Sequence, residues 1–300
     1  MPTGGGLGET SLREDHASDH DGEDAMRLAT IRTATGTRAV RVDEITAVET
    51  GDADVRALLE RPDWAAHAAA AAGPSHEVAG LDYAPLVPSP EKIICVGLNY
   101  RDHVLEMGNQ LPEYPTLFGK YAPALVGAHD DIVLPLVSDK VDWEAELTVV
   151  IGTPVRHATR EQAQAAIAGY TVLNDVSVRD YQRRTGQFLQ GKTFEHSTPL
   201  GPWLVTPDEL PEGGWAISTT LDGETVQSSS TSELVFGAVD LVVYLSEILT
   251  LNPGDVIATG TPGGVGHARK PPRYLTDGAE LVTSIAGVGE LRNTCRLEKR

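Results

Sequence analysis

Val141-Asp-Trp-Glu-Ala-Glu-Leu-Thr-Val-Val-Ile-Gly152, followed by Gly169-Tyr-Thr-Val-Leu-Asn-Asp-Val-Ser-Val-Arg-Asp180, is the pair of stretches on which the reading of this chain turns. Both are apolar and β-branched enough to seek a core as strands, and both carry acids inside otherwise apolar sequence. Side chains alternate along a strand, so Asp142, Glu144 and Glu146 are expected on one face, with Trp143, Ala145 and Leu147 on the other. Buried carboxylates repel one another and take up protons unless something positive sits among them. The cluster therefore asks for a cation. Glu144, Glu146 and Asp175 offer only oxygen donors, which suit magnesium, manganese or calcium, and Asp142 is either a fourth ligand or a neighbour. The competing reading is a row of salt bridges on an exposed strand face, the usual fate of strand acids.

Composition frames this cluster. The 300 residues are 41% hydrophobic and 22% charged, enough to bury one large core or two smaller ones without staples. Cys95 and Cys295 are too few for a disulfide framework or a cysteine zinc site. No basic, apolar leader opens the sequence, and with the scarcity of cysteine this points to a reducing cytoplasm. A formal net charge of -19 disfavours nucleic acid and anionic membrane surfaces as partners. A small anionic substrate stays compatible, because a bound divalent ion and a few local bases can reverse the field inside one pocket.

Along the chain, residues 1 to 25 are rich in Gly, Ser, Asp and His and read as a disordered acidic tail. Residues 26 to 88 read as a small N-terminal domain. It comprises a hairpin of Arg27 to Thr33 and Arg38 to Val42, a helix over roughly 52 to 72, and an extended, proline-rich linker from Leu81 to Pro90. From 89 to 300, short β-like runs alternate with Gly and Pro turns: Ile93 to Gly97, Ile132 to Leu134, Ala216 to Leu221, Val256 to Thr259 and Leu281 to Ile285. Helices are expected to be few, with apolar residues at helical spacing over Glu161 to Ala168 and Ser232 to Leu249. The mixture predicts an α+β body dominated by β-sheet, not a doubly wound parallel sheet.

Three further segments carry chemistry. Asn99-Tyr-Arg-Asp-His-Val-Leu-Glu-Met-Gly108 reads as a short helix on which His103 and Glu106, three apart, share a face. A carboxylate beside an imidazole raises its basicity and gives a general base near neutral pH; the alternative is a solvated pair with no task. Lys192 lies in a stretch dense with turn residues, where it would clamp a substrate carboxylate, form a Schiff base if desolvated, or simply be solvated. Thr259-Gly-Thr-Pro-Gly-Gly-Val-Gly266 is a glycine-rich loop whose backbone N–H groups can approach an anion, without the Gly-Lys-Ser/Thr ending of a nucleotide loop. His196 and His267 read as ordinary loop histidines.

Taken together, these segments resemble the fumarylacetoacetate hydrolase family from about Lys92 to the C-terminus. The residues that carry the resemblance are Val96-Gly-Leu-Asn-Tyr100 with His103 and Glu106, Pro115-Thr-Leu-Phe-Gly-Lys120, Asp142 to Glu146, Asn174 to Asp180, Gly191-Lys192 and the Thr259 to Gly266 loop. The resemblance implies a β-roll of mixed sheets and a homodimer. It also implies Mg2+ or Mn2+ (with Ca2+ able to substitute) held by Glu144, Glu146 and Asp175. Lys192, Arg179, Gln182, Gly260 and Thr261 are implied substrate contacts, and His103 and Glu106 match a catalytic pair on a lid helix. The chain departs from the pattern at Glu195, where Asp is common, and between Gln182 and Lys192, both close to the inferred pocket.

The chemistry expected from this set is metal-assisted hydrolysis of a C–C bond in a 2,4-diketo acid of the acylpyruvate or fumarylpyruvate type. His103 would activate water, and the metal would stabilise the enolate left behind. Oxaloacetate decarboxylation, isomerisation or dehydration of a 2-oxo acid uses the same electron sink. A Schiff-base lyase built on Lys192 and a calcium-stabilised binding protein are the rivals from other classes.

Overall fold

The computed structural model describes residues 26–106 and 110–299. The expected acidic tail lies outside the described residues. Among the described residues, an 11-stranded sheet forms the body and a 5-stranded sheet packs beside it. Both are mixed: most neighbours run antiparallel, while Val256–Ala258 pairs parallel with Ile93–Gly97, and Gly289–Leu297 parallel with Ile132–Leu134. Few helices flank them, so the β-rich α+β expectation holds. No helix among the described residues is long and apolar enough to cross a membrane.

The central strand, Ala145–Ile151, is buried at every position, because it is hydrogen-bonded to Ile167–Asn174 on one side and Val256–Ala258 on the other. Its Leu, Val and Ile side chains fill the core on both faces, which explains a nearly continuous apolar run instead of a clean alternation. The antiparallel register sets Ala145 opposite Asn174 and Glu146 opposite Leu173. One step further along this ladder, the Asp175 amide donates to the Glu144 carbonyl at 2.8 Å. Register alone therefore brings acids that are far apart in sequence to the same sheet end.

The expected alternation over 142 to 146 is interrupted. Val141–Asp142 pairs with Ser177–Val178 in a separate small ladder, and the extended strand resumes only at Ala145. The break turns Asp142 away from the other two acids.

On the N-terminal side, Arg27–Thr33 pairs with Gly36–Val42 and also with Thr198–Val205, setting Leu28 opposite Leu204. The main sheet thus runs through the expected boundary at residue 88, and one core cluster joins Met26, Leu28 and Leu58 to Val150, Leu200 and Val256. The helix expected over 52 to 72 is two helices, Val55–Leu59 and Trp64–Ala69, with Pro62 between them. A proline has no N–H to continue the ladder. The helix expected from Ser232 begins at Ala238, because Asn99 captures the segment before it: its carbonyl and side-chain oxygen accept from the Val235 and Phe236 amides. Thr198–Val205 is a strand despite two prolines: Pro202 falls where its pairing with Ile167–Asn174 shifts register, and Pro199 lies opposite Val126 in a parallel pair.

Candidate active site

Glu144, Glu146 and Asp175 are all buried, and they present carboxylate oxygens lying within 4.8 Å of one another. Glu144 and Glu146 face a cavity of about 490 Å³, whose lining includes Arg179, Lys192 and Thr261. That volume suits a small organic acid.

The exposed salt-bridge reading of these acids is half right: Glu144 and Asp175 are paired with bases, but inside the protein. Lys192 Nζ donates to Glu144 Oε2 at 2.6 Å and to Asp175 Oδ2 at 2.7 Å. Lys120 Nζ donates to Asp175 Oδ1 at 2.7 Å and to the Val176 carbonyl at 3.2 Å. Arg179 spans Asp142 at 2.8 Å and Glu144 at 2.6 Å. Three cations thus serve three acids, counting Asp142. Glu146 is the fourth, and the contact it receives is the Gly260 amide at 2.8 Å.

This imbalance sets the protonation pattern. Burial, then the charges of Asp175 and Glu144, push the Glu146 carboxyl well above the usual range. Burial would also raise Asp175, but Lys120 and Lys192 outweigh it and hold that group below its ordinary value. Burial alone would lower Lys192; Asp175 and Glu144 overcome it and keep the ammonium charged beyond its normal range. The hydroxyl of Tyr100, buried with no hydrogen-bond partner among the described residues, lies close enough to Glu146 to feel its charge. An all-oxygen donor set with one uncompensated acid fits a hard divalent cation.

The local sequence explains how these side chains are held. Lys192 ends the short helix Leu189–Lys192, which packs on the helix Arg179–Gln182. Gly191 makes that approach feasible, since a Cβ there would lie 2.4 Å from the Gln182 amide nitrogen. The turn-rich reading of this stretch missed the helix because it is only one turn long. Gly260 has φ of +103°, and an added Cβ would meet Asn99 at 2.9 Å, so glycine lets its N–H reach Glu146. Gln227 donates to Thr261 Oγ1 at 2.9 Å, which leaves the threonine hydroxyl proton free for the cavity.

Asp142 is an anchor. Its oxygens accept from the amides of Gly266 at 2.7 Å and His267 at 2.9 Å, besides Arg179. It ties the glycine loop to the arginine. Gln182 lines the cavity and accepts from Arg179 at 2.9 Å. The backbone of His103 and Glu106 lies in the helix Arg101–Glu106, but both side chains lie outside the described residues.

Sequence alone assigns no role to Lys120 or Arg183 and reads His267 as an ordinary loop histidine, yet all three lie at the site. Lys120 is fully buried at the end of the strand Thr116–Lys120, and a lone lysine closing an otherwise uncharged strand was the available signal. Arg183 and His267 line the cavity wall.

Comparison with known proteins agrees with this architecture. Residues 92–296 match the family model described as fumarylacetoacetate (FAA) hydrolase C-terminal. Rat oxaloacetate tautomerase Fahd2a, mitochondrial, is 46% identical over 209 residues, which is 69% of this chain and 67% of that protein. The solved fumarylacetoacetate hydrolase of the psychrophile Exiguobacterium antarcticum is 31% identical, with a TM-score of 0.80 over 91% of this chain and 100% of that one. The 5-carboxymethyl-2-hydroxymuconate delta-isomerase of Mycobacterium smegmatis is 34% identical, with a TM-score of 0.76 over 92% of this chain and 100% of that one. With its family model matched over most of its length and its acids gathered at one sheet end, the chain belongs to the fumarylacetoacetate hydrolase family of enzymes.

Proposed function

We propose that this enzyme interconverts the enol and keto forms of a 2-oxo acid, oxaloacetate being the leading substrate, with the help of a divalent metal. The observation that carries the proposal is the convergence of Glu144, Glu146 and Asp175 at a cavity that also presents Lys192 and Arg179. The rat relative, a tautomerase by name, and the mycobacterial isomerase support proton relocation as the reaction class. Glu144, Glu146 and Asp175 would hold Mg2+ or Mn2+, with Ca2+ as a substitute, and the bound ion would stabilise negative charge on the 2-oxo oxygen as a Lewis acid.

In the forward direction the enol O–H bond breaks, a C–H bond forms at C3, and the C2=C3 double bond becomes the C2=O double bond. Lys192 stays an ammonium in its acidic surroundings and therefore serves as a hydrogen-bond donor to the substrate. The Thr261 hydroxyl supplies a neutral donor. The proton at C3 is assigned to His103, oriented by Glu106, on the helix that follows the cavity-lining residues Val96 to Leu98.

Hydrolysis of a 2,4-diketo acid is the second reading, favoured by likeness to the Exiguobacterium hydrolase over most of the chain. It shares the charge sink and adds attack by water. A reducing compartment, cytoplasmic as read from the sequence, suits Cys95 and Cys295, both buried and free; the rat relative is mitochondrial by name. The test follows enol decay of oxaloacetate and cleavage of an acylpyruvate side by side, with Mn2+ and after chelation. Metal-dependent acceleration of enol decay alone supports tautomerisation, acylpyruvate cleavage alone supports hydrolysis, and indifference to chelation refutes both.

A further inference from the structure

One wall of the cavity carries polar groups beyond those that meet the acids. Arg183 follows the helix Arg179–Gln182, its side chain lines the cavity, and it forms no ion pair among the described residues. Arg183 is exposed, so an anion entering the cavity can reach its guanidinium. Arg179 and Lys192 are tied to the acidic floor, whereas Arg183 lines the cavity apart from those acids and can meet the far end of an anion.

His267 lines the same wall. Its backbone is fixed by Asp142, and its Nδ1 lies 2.8 Å from the Tyr274 hydroxyl. Nε2 has no hydrogen-bond partner among the described residues. Burial, followed by the charges of Arg183 and Arg179, lowers the imidazole below its usual value and keeps it neutral. When Tyr274 donates to Nδ1, the ring proton resides on Nε2, which becomes a neutral donor beside the Arg183 guanidinium. The lining also includes the apolar side chains of Val96, Leu98, Phe118 and Phe188.

We propose that Arg183 and His267 form a subsite for the distal carboxylate of the substrate, so that the cavity selects dicarboxylic over monocarboxylic 2-oxo acids. A charged fork and a neutral N–H match the two oxygens of one carboxylate. The subsite rests on the 2-oxo acid reading of the acidic floor and extends it to the far end of the substrate. An alkyl tail would leave both donors unused.

The test compares chain-length-matched probes on the Mn2+-loaded enzyme. Binding of 2-oxoglutarate and 2-oxovalerate is measured by calorimetry, and tautomerisation of oxaloacetate and 2-oxobutyrate by enol absorbance. In the wild type the dicarboxylate of each pair is preferred. Arg183→Gln lowers that preference by about 10- to 100-fold, the size of a charge-assisted hydrogen bond. Arg183→Lys keeps part of it, and His267→Val lowers it less than Arg183→Gln does. An Arg183→Gln enzyme with the wild-type ratio, or a wild type without preference, overturns the subsite. A wild type that prefers 2-oxoglutarate but accelerates neither enol refutes the tautomerase reading and leaves the subsite standing.

Discussion

Arg32, Arg38 and Arg41 on the N-terminal strands and Lys120, Arg179 and Lys192 beneath the cavity are the same kinds of cation facing the same kinds of acid. Their contact distances overlap: Arg32 meets Asp82 at 2.8 Å, and Lys120 meets Asp175 at 2.7 Å. Exposure separates them. The Arg32 and Asp82 side chains are 37% and 64% exposed, whereas those of Lys120 and Asp175 are both at 0%. Water screens the first pair and cannot reach the second, so equal geometry carries unequal energy. In the N-terminal strands charge decorates a surface; under the cavity it is the working material of the site.

The sharpest way to break this comparison is to remove the one acid that lacks a cation. Glu146→Gln is isosteric and should cut Mn2+ affinity by about 100-fold or more and activity by a similar factor, since it deletes a charged ligand from a small oxygen set. Calorimetric Mn2+ titration of the purified variant checks this, and wild-type affinity would refute the ligand assignment. Next in size is stability. Lys120→Met leaves Asp175 short of a buried partner and should cost about 3–5 kcal/mol in urea unfolding. The double variant Lys120→Met/Asp175→Asn should recover part of that loss; strict additivity would show the two side chains do not interact.

A subtler probe uses Tyr83, whose phenol burial pushes up to about 12. Its folded value lies above the unfolded value of 10.0, so the associated stability is complete below pH 10 and is lost as pH rises toward 12. Tyr83→Phe should flatten that part of the alkaline unfolding curve, and an unchanged curve would contradict the shift. The smallest effect belongs to the surface. Asp43→Ala opens a pair with Arg41 at 3.1 Å and should change stability by about 1 kcal/mol or less, measured in the same urea assay.

The sequence made Glu144 and Glu146 legible because strand alternation is local, and Asp175 legible because it closes an apolar strand. What it could not supply were contacts set by distant chain. Asp142 anchors a loop that returns only at Gly266 and His267, and nothing near position 142 announces that arrival. Lys120 gained its meaning when Thr116–Lys120 paired antiparallel with Ile93–Gly97, bringing its end to Asp175. The helix starting at Ala238 illustrates the opposite error: the apolar spacing from Ser232 was real, yet the Asn99 hydrogen bonds hold the first residues out of the helix. Periodicity reports preference, and a buried amide from another segment can overrule it.

The pairing of Arg27–Thr33 with Thr198–Val205 also bears on how the chain can be trimmed. Residues 92–296 carry the family match, but a chain cut at 92 would lose that neighbour and the Met26 and Leu28 side chains packed beneath it. The Leu204–Val205 end of Thr198–Val205 would then become a bare edge, its backbone groups free to recruit a strand from another molecule. For this chain, the first strand acts as a guard against aggregation for a sheet whose catalytic end lies elsewhere.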